Sequence, residues 1–266
     1  MDIVKLLATP PLKRSELASR AGISRNTEWT IRHDQSRAHL GTLRELALAC
    51  GYDIEVQLSP GFDPMASAAA RVLLGDLAEE NVQGMAEWRD RILRYTDFQG
   101  DSTQLEKIAI AQEAAIFSGA QNAPKAVMLA GRSDVLRLTS AAMAANLALK
   151  ETPALAIEQG SNHEWMLSGW AGLRSEDSSE EASKSLPTVV WTTHPQLFAL
   201  QLQSSHRRVE TMRAADVVVA PVSSHQRIGT REVEAALLVS GVQAIIDCMG
   251  LGGPIAELAL AKAREW

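Results

Sequence analysis

The chain has 266 residues, of which 46% are apolar and 22% charged, and its formal net charge is -6. This is the composition of an ordinary globular protein, and the length suits a small module beside one larger domain. The N-terminal apolar run is too short for a signal peptide, and no stretch reaches the ~20 apolar residues of a membrane span. Cys50 and Cys248 fall on predicted apolar faces, which favours free thiols. We therefore expect a cytoplasmic protein that makes no contact with a membrane.

Residues 13–52 carry the strongest pattern in the chain: short helices joined by tight turns. Good helix formers occupy residues 15–21, and Gly22 supplies the left-handed conformation that ends a helix without a Cβ clash. Ser24 is a favourable N-cap for the next helix, from which Ile31 should face inward. This layout is that of a helix-turn-helix, whose second helix enters the major groove of DNA.

Along its whole length, this segment resembles the Xre/Cro-type helix-turn-helix family of bacterial and phage regulators. The resemblance is carried by SELASRAGIS (15–24), by the polar helix that follows, and by GTLRELALACGY (41–52). It implies that outward side chains of the second helix read bases and phosphates. The sequence departs from the family at Glu28, where an apolar residue is common, and at residues 32–34, which lack the usual acidic residue and glycine.

Ten side chains of the segment are candidates for DNA contact. The base-reading group projects from the second helix and comprises Arg25, Asn26 and Thr30. Arg32 is shared between bases and phosphate. The group that holds the phosphate backbone comprises Lys13, Arg14, Ser24, Thr27 and Arg37. Trp29 has two interpretations: it stacks on a sugar or thymine methyl, or it packs against the helix that ends at Cys50.

The distribution of charge favours DNA at this end of the chain. Residues 11–44 contain seven Lys or Arg against three acidic residues, a formal balance of +4. Residues 61–266 carry about -7 by the same counting. A duplex attracts a local basic surface, whereas an acidic remainder discourages indiscriminate binding.

The chain divides into three parts on sequence pattern. Residues 1–60 form the helix-turn-helix domain, with Thr42 capping its closing helix and a half-buried strand over Asp53–Leu58 that pairs with a dimer twin or within the chain. Residues 61–122 form a helical connector. Residues 123–266 form a larger domain for dimerisation, partner binding or effector binding. The fold class is α+β.

In the two C-terminal parts, periodicity and breakers predict the remaining elements. Two helices lie within 64–95, and further helices cover 102–118, 134–149, 165–173, 231–239, 242–249 and 255–266. Strands cover 125–129, 189–192 and 216–221. The Ser- and Glu-rich run 175–185 predicts an exposed loop.

The C-terminal part is also similar to the C-terminal domains of AbiEi-type antitoxin regulators. The similarity rests on Asp247, the glycine turn 250–253 and the alanine-rich last helix, after the strand DVVVAP (216–221). It implies a domain that modulates regulation of an operon or phage-defence module.

No motif for catalysis emerges. His163, His194, His206 and His225 lack the spacing of zinc ligands, and we interpret each as a polar surface residue. We predict no enzyme activity, no cofactor and no metal. The expected function is a sequence-specific transcriptional regulator, a repressor that binds double-stranded DNA as a homodimer. The alternative is an antitoxin-like or phage-defence regulator whose C-terminal domain binds a toxin-like protein or a small-molecule effector.

Overall fold

The chain folds into two compact units, residues Met1–Ser59 and Pro60–Trp266. The computed structural model describes residues 3–34, 38–56, 60–79, 84–96, 103–151, 164–173, 186–233 and 236–266. The α+β fold class is confirmed, because short helices come first and a mixed sheet with helices follows.

The first unit consists of short helices around a small apolar core. They are α1 (Ile3–Ala8), α2 (Arg14–Arg20), α3 (Arg25–His33) and α4 (Leu40–Ala49). The buried core side chains come from every one of these helices and from the turn after α2: Leu7, Leu17, Ala21, Ile31 and Leu46. Each helix is too short to be stable alone, so this shared core holds the unit together.

Two local predictions for this unit are wrong. Helix α4 begins at Leu40 rather than after Thr42, because His39 already takes the extended N-cap conformation and its carbonyl accepts from Leu43 N at 3.1 Å. Residues 53–56 form no strand, and residues 57–58 of that prediction lie outside the described part. Asp53 instead accepts from Arg44 Nε and from Ile54 N, each at 2.8 Å, and such local bonds compete with strand pairing.

The second unit is built on a seven-stranded sheet. Its strands are β1 (Val127–Ala130), β2 (Trp165–Gly169), β3 (Thr188–Thr192), β4 (Arg207–Arg208), β5 (Val217–Pro221), β6 (Arg231–Val233) and β7 (Ala236–Leu238). Their spatial order is β4-β1-β5-β3-β2-β7-β6. The β3–β5 and β2–β7 pairs are parallel, and the other neighbouring pairs are antiparallel.

Helices cover both faces of this sheet. They are α5 (Pro64–Leu73), α6 (Ala86–Tyr95), α7 (Gln104–Ser118), α8 (Val135–Glu151), α9 (Trp170–Leu173), α10 (Pro195–Leu202), α11 (Gly241–Leu251) and α12 (Gly253–Ala263). None of the helices in the described ranges combines the length and apolar character needed to cross a bilayer.

Alternation along β3 shows how the layers are arranged. Val189 and Trp191 pack into the core beneath α11 and α12, whereas Val190 packs with Phe198 of α10 and Leu138 of α8 on the opposite face. Both faces of the central strands are therefore buried.

The segment 61–122 belongs to this second unit. Helices α5 and α7 pack against each other and against α11, and they share an apolar cluster that includes Ala66, Ala70, Ala114 and Ile246. The small residues let these helices approach closely.

Two helix predictions in the second unit are corrected: 165–173 is helical only over 170–173, and 231–239 is not helical in its described residues. Residues 165–169 form β2, which lies between β3 and β7 and is buried on both faces, so its sequence lacks the alternation of a half-exposed strand. Residues 231–233 and 236–238 form the antiparallel pair β6–β7 at one edge of the sheet. Pairing with β2 here outweighs the helix propensity of glutamate, alanine and leucine.

A buried carboxylate joins the sheet to α11. Asp247 accepts hydrogen bonds from Ser168 Oγ at 2.5 Å, Trp191 Nε1 at 2.8 Å and Gln243 Nε2 at 2.8 Å. Desolvation outweighs these donors and raises the pKa of Asp247 to about 6. The carboxyl group is therefore harder to ionise in the native state than in the unfolded chain.

The raised pKa predicts a specific pH dependence of stability. Because the native pKa exceeds the unfolded value, the proton on Asp247 stabilises the fold below about pH 4, and this contribution is lost as pH rises through about 6. In Asp247→Asn the contribution is absent. Between pH 4 and 7 the free energy of unfolding of the wild type should fall relative to the variant by roughly 2–3 kcal/mol.

Denaturant unfolding of both proteins across this pH range measures the difference. Parallel stability curves for the two proteins would contradict the assignment of the proton to Asp247.

Candidate nucleic-acid interface

The turn between α2 and α3 is set by backbone hydrogen bonds and one glycine. Gly22 adopts φ +66°, a left-handed conformation that other residues rarely take. Gly22 N donates to Ser19 O at 3.2 Å, and Ile23 N donates to Ala18 O at 3.0 Å. The chain thus leaves α2 in a tight turn and enters α3 within a few residues, as predicted from the sequence.

Ser24 is the N-cap of α3, which confirms the sequence prediction. Its hydroxyl accepts from Thr27 N at 3.0 Å and lies 2.8 Å from the Thr27 hydroxyl. The cap satisfies one of the free amides at the start of the helix. Arg25 follows as the first helical residue, and its position is therefore fixed by the cap.

The rotation of α3 is fixed by two inward residues. Ile31, as predicted, is buried in the core of the first unit, and Glu28 is buried beside it, three residues earlier. Arg25, Asn26 and Trp29 consequently project into solvent.

Arg32 is engaged within the helix. Its Nε donates to Glu28 Oε1 at 3.0 Å, and a second guanidinium nitrogen contacts the same oxygen. Only 12% of the Arg32 side chain is exposed. Arg32, predicted to contact bases and phosphate, is thus paired within α3. An acid and a base four residues apart are a recognisable helix pair, so the signal was present in the sequence.

The other cationic side chains of the first unit differ in whether they form an ion pair. Arg20 pairs with Glu16 at 2.9 Å, and Arg44 pairs with Asp53 at 2.8 Å. By contrast, Lys13, Arg14 and Arg25 are exposed and form no ion pair within the described ranges. Lys13 and Arg14 lie at the start of α2, and Arg25 at the start of α3. Arg37 lies outside the described residues.

Trp29 presents an aromatic ring on the outward side of α3. The side chain is 52% exposed, and its ring lies 4.1 Å from that of His33, one turn later. His33 Nδ1 is 2.8 Å from the Trp29 carbonyl oxygen, which holds the imidazole in place. Of the two predicted interpretations, this exposure favours contact with a ligand over packing against α4. Thr30, the remaining candidate, is half-buried, and its hydroxyl donates to Asn26 O at 3.0 Å.

The prediction that the histidines are surface residues is wrong for those described in the second unit. His194, His206 and His225 are buried rather than on the surface, and His163 lies outside the described residues. His225 Nε2 lies 2.9 Å from Ser67 Oγ, and desolvation, followed by the nearby Arg71, lowers its pKa to about 4. In the part of the chain that is described, no three His, Cys, Asp or Glu residues are grouped to hold a metal ion.

No protein-family model, curated protein or solved structure matches this chain. The candidate interface therefore rests on the geometry of the described residues alone: α3 follows a tight turn, is held by the Glu28–Arg32 pair, and presents an exposed polar and aromatic face.

The acid–base pair yields a prediction about local stability. Arg32→Ala leaves the buried carboxylate of Glu28 without its ion-pair partner, which costs roughly 1–3 kcal/mol. Amide hydrogens of α2 and α3 should then exchange about tenfold faster or more, as hydrogen–deuterium exchange of the whole protein would show.

Arg25→Ala is the matched control, because it removes an exposed arginine from the same helix and should leave exchange nearly unchanged. Equal acceleration in both variants would contradict a bracing role for Arg32.

Proposed function

We propose that the chain is a sequence-specific DNA-binding regulator of transcription, a repressor that acts as a homodimer and places α3 in the major groove. The observation that carries this proposal is the exposed face of α3, whose orientation is fixed by the inward Ile31 and Glu28. In a helix-turn-helix, the N-terminal residues of the second helix contact base edges. The proposed role is binding, not catalysis.

Base readout is assigned to the side of α3 that carries Arg25, Asn26 and Thr30. Arg25 is exposed and forms no ion pair with any described residue, and its guanidinium has the forked donor geometry that matches guanine O6 and N7. The exposed amide of Asn26 fits adenine N6 and N7. Thr30 lies one turn after Asn26, where its methyl group suits a thymine methyl contact.

Phosphate contacts are assigned around the turn. Lys13 and Arg14 bring exposed cations at the start of α2, and the hydroxyls of Ser24 and Thr27 lie at the start of α3. Backbone contacts of this kind set the register of the protein on DNA without reading sequence. Arg37 retains its predicted phosphate role.

Arg32 and Trp29 receive separate roles. Because Arg32 is paired with Glu28 and mostly buried, we assign it to bracing α3. Trp29, whose ring is tilted against that of His33, offers an apolar edge to the sugar or thymine methyl beside the base-reading group.

Selection of bound duplexes from a random pool, with the whole protein, identifies the operator on which the proposal is tested. Arg25→Ala should then cost about 1–3 kcal/mol on that operator, roughly 5–150-fold in Kd, and much less on a scrambled duplex. Lys13→Ala should weaken both duplexes about equally and reduce the salt slope of binding by about one.

The control is Arg20→Ala, which removes an arginine already paired on the surface with Glu16. Titrations at fixed salt, followed by anisotropy of a labelled duplex, compare the variants. No enrichment in the selection, or equal losses for Arg25→Ala on operator and scrambled duplex, would count against the proposal.

A further inference from the structure

His33 is the last residue of α3, and its side chain is exposed. It follows Asn26 by seven residues, which is two turns of an α-helix with a drift of only about 20°. His33 and Asn26 therefore lie on the same outward side of α3, with Trp29 between them. The roles proposed for this side extend to Thr30 and leave the exposed imidazole without one.

The imidazole of His33 is oriented by its own helix. Its Nδ1 lies 2.8 Å from the carbonyl oxygen of Trp29, and because a carbonyl oxygen can only accept, Nδ1 carries a hydrogen. The ring centroids of His33 and Trp29 are 4.1 Å apart, and their planes are tilted by 30°. The other ring nitrogen, Nε2, has no hydrogen bond to any described residue. In the neutral ring Nε2 is an acceptor, and a second proton turns it into a positively charged donor.

The charged groups of α3 and of the helices packed against it leave His33 without an ionic partner. They are three ion pairs, four further cations and two further acids: Glu28–Arg32, Glu16–Arg20, Arg44–Asp53, Lys5, Lys13, Arg14, Arg25, Asp34 and Glu45. None of them forms an ion pair with His33. An imidazolium at this position is therefore not neutralised by a carboxylate of the described first unit.

We propose that His33 is a further DNA-contacting residue, and that its protonated ring donates from Nε2 to a phosphate at the edge of the groove that α3 enters. The length of α3 favours a phosphate over a base. In a helix-turn-helix the N-terminal residues of the second helix contact base edges. His33 lies about 10 Å farther along the axis than Asn26, and the major groove is about 12 Å wide. When Asn26 reaches the bases, His33 thus lies toward the phosphate wall.

This contact couples DNA binding to pH. A phosphate oxygen only accepts hydrogen bonds, so the acceptor nitrogen of the neutral ring cannot bind it, whereas the imidazolium can. Nε2 takes the proton from solvent as the phosphate is bound. Histidine changes its charge between pH 8 and 5, so the coupling falls in the neutral range.

One other histidine of the described first unit is exposed. It is His39, the N-cap of α4, which lies outside α3 and serves as a matched control. The histidines described in the second unit are buried: His194, His206 and His225. They are consequently poor candidates for a direct contact with a duplex.

The inference rests on the proposed function, because it assigns one more contact to the same face of α3. The two are nevertheless separable, since operator recognition is measured at one pH and the role of His33 by the change between two. The duplex is the operator selected from the random pool with the whole protein.

Titrations of the whole protein at pH 8 and pH 6 test the contact. The Kd of the wild type should fall about fivefold for each bound copy between these values. Its salt slope should be steeper at pH 6 by about one for each copy. In His33→Gln both differences should disappear, whereas His39→Gln should retain them. His33→Lys, which is charged at both values, should bind at pH 8 about as tightly as the wild type binds at pH 6.

Calorimetry in buffers of different ionisation enthalpy counts the protons directly. At pH 7 the wild type should take up a proton on binding, and His33→Gln should take up none. Equal pH dependence in the wild type and in His33→Gln, or a loss for His33→Gln that is the same at both pH values, would overturn the contact and leave the proposed function standing. Failure of the selection to enrich any duplex would overturn both.

Discussion

The orientation of α3 depends on burial of Ile31 and of the Glu28–Arg32 pair. These inward side chains fix the rotation of the helix, and the 3.6-residue repeat then determines which side chains face solvent. Burial of a paired acid and base contributes little net stability. Rotation of α3 would, however, separate the two side chains and leave one charge without its partner, which is costly. The same constraint removes Arg32 from the outward face and leaves Arg25, Asn26 and Trp29 there.

Local chemistry allowed much of the first unit to be predicted. The left-handed Gly22, the Ser24 cap and the inward Ile31 are each dictated by the residue itself and its nearest neighbours. The burial of Arg32 was not predicted, because a charged side chain near the end of a polar helix is normally solvated. Its i, i+4 spacing from Glu28 was the signal that could have revealed it.

The second unit was predicted less well, because several of its elements depend on contacts between residues that are distant in sequence. Helices such as α8 and α11 have sufficient length and periodicity to be recognised locally. The sequence of β2 predicts a helix, because the strand is buried by β3 and β7, which are distant in sequence. Buried His225 is likewise hydrogen-bonded to Ser67, 158 residues away. Such contacts leave little trace in a local pattern.

If the outward face of α3 meets DNA as proposed, the exposed ring of Trp29 reports on that contact directly. Hydroxyl-radical footprinting by mass spectrometry would compare oxidation of Trp29 in the free protein and in the complex with its selected duplex. We predict strong protection of this half-exposed ring when the protein binds the duplex. Equal oxidation of Trp29 in the free and bound protein would contradict it.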